Sequence, residues 1–491
     1  MTDSEATDIP LQPARHTVEK IGGTSMVQYQ AVRDNIIFRG CQSEDLYQRV
    51  FVVSAYAGIT DLLLEAKKSG EHGVYGMFAN TRDDGCWQDA LDNLKGHFHR
   101  LNRDYFSDEL QLARADRFID ERVEEARQCL ADLESICQHG HFDLGSHLKT
   151  VREMLASLGE AHSAWNLSAL LQEEGINARF VDLSGWNSAQ HMSLDERIME
   201  AFATIDLATE MPIVTGYTHT AEGLMTTFDR GYSEMTFSRV AVLTRAREAI
   251  IHKEFHLSSA DPRLVGEGNA VPIGRTNYDV ADQLANLGME AIHPKAAKGL
   301  RQQDIPLRVK NTFEPEHGGT LVTGDYVSDI PCVEIIAGRR NIYAIECLEQ
   351  NMMGEIYRYD RDILNAIARF KGQIVTKDIT ANSITHYLAT NLKTVRRIRT
   401  AIEEQHPDSR IQVRKVAVVS AIGSDMKVPG ILSQAVSALA DANISVLAMH
   451  QSMRQVDMQF VIDEEHYDAA VKSLHRKLVE VHDHGRAIRL G

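Results

Sequence analysis

A chain of 491 residues is longer than one compact core serves, so two or three domains are expected. Hydrophobic residues at 43% and charged residues at 25% are ordinary for a globular protein, and a formal charge of −17 leaves no basic surplus for a nucleic-acid partner. No run approaches the ~18 apolar residues that crossing a bilayer requires, Met1–Ile9 has no signal-peptide core, and the six cysteines follow no zinc or redox spacing. A cytoplasmic protein with reduced thiols and no membrane partner is the expectation.

Residues 1–14 read as a disordered tail. Thr17–Ile21 has a strand pattern ending in Gly22-Gly23, and Arg49–Val53 is the apolar, β-branched run of a buried parallel strand. Ser54–Gly58 forms a small-residue turn before a helix at Asp61–Leu64, and residues 85–158 carry helical apolar spacing. Further strands are predicted at Ala178–Asp182, Met211–Thr215, Ile305–Val309 and Thr320–Val322, an alternation typical of an α/β fold with a mostly parallel sheet. Past residue 330 the pattern changes. Strands at Val333–Gly338, Ile342–Leu348 and Gly372–Thr376 surround a helix at Gly354–Phe370. Val413–Ala421, a helix at Gly430–Ala442, Ile444–Met449, Met458–Ile462 and a helix from Tyr467 follow. The repetition predicts two small α+β modules, residues 330–405 and 411–491, joined near Pro407, with insertion of one into the other left open.

The first loop, Lys20-Ile21-Gly22-Gly23-Thr24-Ser25, has the means to hold an anion. Two glycines let backbone N–H groups approach closely, Lys20 brings a positive charge, and Thr24 and Ser25 bring hydroxyls at a helix start. Phosphoryl transfer depends on positioning and charge neutralisation, which such a loop supplies. The same residues also suit an ordinary strand-to-helix turn, and their order is not that of a Walker A loop.

Lys20–Ser25 resembles the opening signature of the aspartate kinases, members of the amino acid kinase fold. The resemblance continues in chain order through Val53–Thr60, Leu158-Gly159-Glu160, Phe228–Glu234, Ala260–Arg263, Ile292-His293-Pro294, Lys310-Asn311-Thr312 and Gly319-Thr320. The doubled C-terminal unit is similar to the family's paired ACT modules. The implied fold is an amino acid kinase-like three-layer α/β domain over residues 15–325, followed by two ferredoxin-like ACT modules.

What the resemblance implies about the site can be stated residue by residue. Lys20 and Glu234 are expected at the reacting phosphoryl group. Glu160 would receive the α-ammonium of L-aspartate, Arg230 a carboxylate, and Ser54, Thr60 and Ser233 would orient the carboxylates. Gly22, Gly23, Thr24, Ser25, Lys253, Asp261 and Arg263 would face ATP, with Mg²⁺ carried mainly by the triphosphate and no dedicated metal cage. Some positions depart from the family. Lys253 stands where an acid is common, Ser258 where a tyrosine often lies, Glu290 where many members have lysine, and Glu234 replaces aspartate. Met453 and Arg454 replace small polar residues at the ACT ligand rim, and with Tyr232 they resemble the aspartate kinases of ectoine biosynthesis. A lysine, threonine or methionine pathway enzyme, a silent ACT sensor, and a kinase acting on glutamate or N-acetylglutamate are the other readings. ACT pairing across subunits implies a homodimer or larger assembly.

Overall fold

The computed structural model describes residues 15–40, 46–66, 69–80, 86–139, 141–186, 188, 190–228, 231–289 and 292–480; the tail expected at residues 1–14 lies outside them. The chain divides into two units, 1–256 with 293–323, and 257–292 with 324–491. The segment Leu257–Ile292 thus goes with the later part of the chain.

In chain order the strands are β1 Thr17–Ile21, β2 Arg49–Val53, β3 Ala178–Val181, β4 Met211–Thr215 and β5 Glu248–Lys253. They continue with β6 Arg275–Asn277, β7 Leu307–Asn311, β8 Thr320–Thr323, β9 Ile335–Leu348 and β10 Gln373–Ile379. The last four are β11 Ser383–Ala389, β12 Arg410–Ile422, β13 Val446–Gln451 and β14 Asp457–Asp463.

In the first unit the strands lie in the order β3-β4-β2-β1-β5-β7-β8. All neighbours run parallel except β7 and β8. Strands of a parallel sheet are buried on both faces, and β1 and β4 are buried at every position; β4 carries mainly apolar residues, whereas β1 holds Glu19 and Lys20 between Val18 and Ile21. The predicted helical stretch is three helices. Cys86–Tyr105 buries the stripe Trp87, Leu91, Leu94 and Phe98; Glu109–Cys137 starts on an Asp108 cap; Leu148–Glu173 is buried along most of its length. Their apolar faces join Ile21, Phe51, Val53 and Ile213 of the sheet in one core. β5 has only Ala249-Ile250-Ile251 as an apolar run, too short to stand out in the sequence, yet it pairs with both β1 and β7.

The second unit holds a six-stranded sheet in the order β10-β11-β9-β12-β14-β13. The end of β9, the helix Ile356–Arg369, β10, β11, the helix Leu392–Gln405 and the start of β12 form one βαββαβ module. The rest of β12, the helix Ile431–Asp441, β13, β14 and the helix Tyr467–Leu478 form the other, completed by the start of β9. The sequence predicts two strands, Val333–Gly338 and Ile342–Leu348, where the structure has one. The polar break between them is absorbed inside β9, where Asn341 takes a φ of 57° opposite a register shift at Val416/Val418 of β12. β11 and the helix Leu392–Gln405 are further elements beyond those predicted.

Candidate active site

Parallel α/β sheets bind ligands at the carboxyl ends of their strands. In the first unit, the ends of β1, β2, β4 and β5 carry Lys20–Gly23, Ser54, Gly216 and Lys253. The loops after them are laced together by backbone hydrogen bonds: Gly22 N–H donates to His252 (3.2 Å), Ser54 to Ile21 (3.1 Å) and Gly216 to Val53 (2.9 Å). Gly23 is required by this closeness, since a Cβ there would lie 2.5 Å from the carbonyl oxygen of Ala55.

Glu160 sits on the helix Leu148–Glu173 with 1% of its surface exposed. Gly159 permits the approach of that helix, because a Cβ there would come within 2.9 Å of the Ala55 Cβ. The Ser233 hydroxyl donates to Glu160 Oε1 (2.9 Å), and the Tyr232 hydroxyl and Ala55 backbone also bond the carboxylate. Oε2 has no partner among the described residues. Burial pushes the Glu160 pKa up to about 8, against the opposing pull of Ser233, the Lys20 charge, Tyr232 and Ala55. A buried carboxylate with a bare oxygen is costly unless a cation completes it.

On the neighbouring helix, Tyr232–Leu243, Glu234 lies beside Lys20, with Nζ and Oε1 3.9 Å apart. Its Oε2 accepts the backbone N–H of His293. His293 in turn caps the helix Pro294–Gln302, its Nδ1 accepting from the Lys295 N–H at 3.2 Å. The arrangement sets an ammonium and a carboxylate side by side next to a glycine loop, with the buried Glu160 carboxyl within reach of the Lys20 charge. Residues 15–311 match the amino acid kinase family, and residues 419–478 an ACT domain. Over 96% of its length the chain is 54% identical to the aspartate kinase Ask_Ect of Stutzerimonas stutzeri, of which 99% is covered. The chain belongs to the aspartate kinases of the amino acid kinase family. An aspartokinase of Geobacillus stearothermophilus is 27% identical over 67% of this chain and 81% of its own length. The crystal structure of E. coli aspartokinase III with aspartate and ADP superposes with a TM-score of 0.70 at 20% identity, covering 94% of this chain and all of that one.

Within this kinase, Lys20, Gly22, Gly23, Ser54, Thr60, Glu160, Ser233 and Glu234 all belong to the first unit. Thr60 lies in the first turn of the helix Ile59–Leu63, behind Gly58 with its φ of 86°. Thr24 is exposed on the short helix Gly23–Met26, whereas Ser25 is fully buried and shares its hydroxyl with Thr312 (2.9 Å). That bond ties the glycine loop to the segment after β7. Lys253 ends β5, its Nζ 5.9 Å from the Phe255 ring. Asp261 and Arg263 belong to the second unit, where Asp261 caps the turn Pro262–Val265 and pairs with the exposed Arg263 at 2.8 Å. Arg230 and Glu290 lie outside the described residues. In the second unit Met453 is fully exposed and Arg454 is paired with Asp279.

Two contributions were hidden in the sequence. The His293 N–H that holds Glu234 is a backbone group, signalled only indirectly by the His-Pro helix start. The Tyr232 hydroxyl on Glu160 was visible as a departure from the family pattern, but its target is set by the fold.

Proposed function

We propose that the protein transfers the γ-phosphoryl group of ATP to the side-chain carboxylate of L-aspartate, giving 4-phospho-L-aspartate and ADP. The observation that carries this reading is Glu160, a buried carboxylate with one oxygen unpartnered among the described residues, near the Lys20–Glu234 pair. The α-ammonium of aspartate supplies the missing cation. Its side-chain carboxylate then attacks the γ-phosphorus, an oxygen–phosphorus bond forms, and the bond to the ADP oxygen breaks with the electron pair leaving on ADP. No proton need move. Lys20 neutralises charge on the oxygens in flight, and Glu234, anchored by the His293 N–H, orients Lys20.

Arg230, Ser54, Thr60 and Ser233 are assigned to the aspartate carboxylates. Gly22, Gly23, Thr24, Ser25, Lys253, Asp261 and Arg263 are assigned to the nucleotide. Mg²⁺ is assigned as an ion brought by the triphosphate, a hard cation that keeps phosphate oxygens and water as its main ligands. A homo-oligomer built through the ACT modules and a cytoplasmic location complete the proposal. Among the described residues no helix is long and apolar enough to cross a membrane.

The product is proposed to feed ectoine synthesis, on the strength of the 54% identity to Ask_Ect; supply to lysine, threonine and methionine is the alternative. Coupled ADP release with aspartate, and with glutamate as control, tests the reaction: aspartate-dependent release is expected, and none with either acid overturns it. Deleting the gene and measuring ectoine at high salt tests the pathway. Undiminished ectoine rules it out.

A further inference from the structure

Glu153 lies two turns before Glu160 on the helix Leu148–Glu173 and is 7% exposed, yet its surroundings are the reverse of Glu160's. Both of its oxygens are fully occupied. Oε2 accepts from the Tyr217 hydroxyl (2.8 Å) and the Met225 N–H (3.0 Å); Oε1 accepts from the Thr226 N–H (2.8 Å) and its hydroxyl (3.2 Å). Met225 and Thr226 open the helix Leu224–Phe228, whose first N–H groups have no partner within the helix. Gly223, with a φ of 80°, lets the chain turn over the carboxylate, since a Cβ there would sit 2.7 Å from Glu153 Oε1.

The same carboxylate reaches the substrate side by a second route. The Tyr217 ring meets the Tyr232 ring edge-on, with centroids 5.8 Å apart. Tyr232, buried to 3%, bonds Glu160, and the next residue, Ser233, donates to Glu160 as well. Glu153 therefore holds the helix that precedes the Gly231–Glu234 segment and, through Tyr217, steadies the aromatic residue inside it.

We infer that Glu153 is a positioning residue for aspartate binding: it fixes the start of the Leu224–Phe228 helix and the Tyr217–Tyr232 pair, and so sets where Tyr232 and Ser233 meet Glu160. The inference rests on the proposed reaction. A purely structural carboxylate would affect both substrates alike; this one acts on the aspartate side alone. A cavity of about 840 Å³ adjoins Glu153, lined among others by Lys149, Trp186 and His219, so water can reach N–H groups released by substitution.

The test is steady-state kinetics of Glu153→Gln and Tyr217→Phe with each substrate varied in turn. Glutamine keeps the shape but has one acceptor oxygen. The expected result is a rise in KM for aspartate of about tenfold, in keeping with lost hydrogen bonds to a charged group, with KM for ATP unchanged. Tyr217→Phe, which removes one donor, should move KM for aspartate the same way by about threefold. A folded Glu153→Gln protein with unchanged KM for aspartate, or with both KM values raised together, overturns the inference. If Glu153→Gln does not fold, Tyr217→Phe decides in the same terms. Absence of aspartate-dependent ADP release by the unsubstituted protein is a different failure, which overturns the proposed reaction and this inference with it.

Discussion

Two buried glutamates of the first unit are held in opposite ways. Glu19 and Lys20 are adjacent in β1, so their side chains point to opposite faces. The Glu19 carboxylate, 2% exposed, is closed off: Arg49 grips both oxygens at 2.7 and 3.0 Å, and His252 Nε2 adds a contact at 2.7 Å. Burial alone would raise its pKa, but Arg49 and His252 outweigh burial and hold it well below the usual carboxylate range. Glu160, as deeply buried, has two hydroxyls and a backbone contact but no cation in direct contact, and its pKa rises to about 8. Glu19 is part of a finished ion pair, whereas Glu160 Oε2 has no partner among the described residues.

The sharpest break in this comparison is Lys20→Ala. The site would keep Glu160 and its donors but lose the charge beside Glu234, so kcat should fall about 10³-fold while thermal stability barely changes. Turnover by coupled ADP release and a melting curve check both halves; a fully active variant removes Lys20 from the mechanism.

Next is Glu160→Gln, which should raise KM for aspartate about 100-fold, the scale expected when a buried charge-assisted hydrogen bond is removed. It should also change the response to pH. In the proposed site the ionised form of Glu160 binds the ammonium, so affinity of the unsubstituted protein for aspartate should increase as pH rises toward 8. Stability moves the other way. A carboxyl whose pKa is raised on folding contributes most below its unfolded value, and that contribution is lost as pH climbs through about 8. The ligand-free Glu160→Gln protein should therefore melt higher than the unsubstituted one at pH 8, with the gap closing near pH 5. Melting curves that stay parallel across this range would falsify the assignment.

Glu19 yields the converse. Glu19→Gln leaves Arg49 and His252 without their carboxylate, and breaking such a buried arrangement costs about 3–5 kcal/mol. A large drop in the denaturant midpoint with an unaltered KM for aspartate is expected. A changed KM with unchanged stability would erase the contrast between the two carboxylates.

Much of this was legible beforehand, for physical reasons that differ by element. β1, β2 and β4 occur over the residues predicted: β2 and β4, buried on both faces, carry near-continuous apolar runs, while β1, which holds Glu19 and Lys20, is marked by the Gly22-Gly23 turn that ends it. The helix Leu392–Gln405 left a weaker trace: Val395, Ile398, Ala401 and Ile402 are correctly spaced but submerged among charged, exposed neighbours. Lys20 and Glu160, the residues proposed for the site, could be picked from ordered motifs. Glu153 could not, since a lone glutamate on a helix looks solvated until the fold brings Met225 and Thr226 to it.

Ser233 offers the finest adjustment of the contrast. Its hydroxyl is one of two that stabilise the charged form of Glu160, at 2.9 Å. Ser233→Ala removes a single donor from a site that retains Tyr232, Ala55 and the charge of Lys20, so the loss should be that of one hydrogen bond, about 1 kcal/mol or roughly fivefold in KM for aspartate. Because Ser233 favours ionisation, its removal should also push the Glu160 titration further upward. The pH at which aspartate affinity reaches half its maximum should then move to the alkaline side. If KM rises fivefold with that midpoint unmoved, Ser233 contacts the substrate directly and does not act through Glu160; if the midpoint moves, the hydroxyl is part of what keeps an incomplete carboxylate ready for its cation.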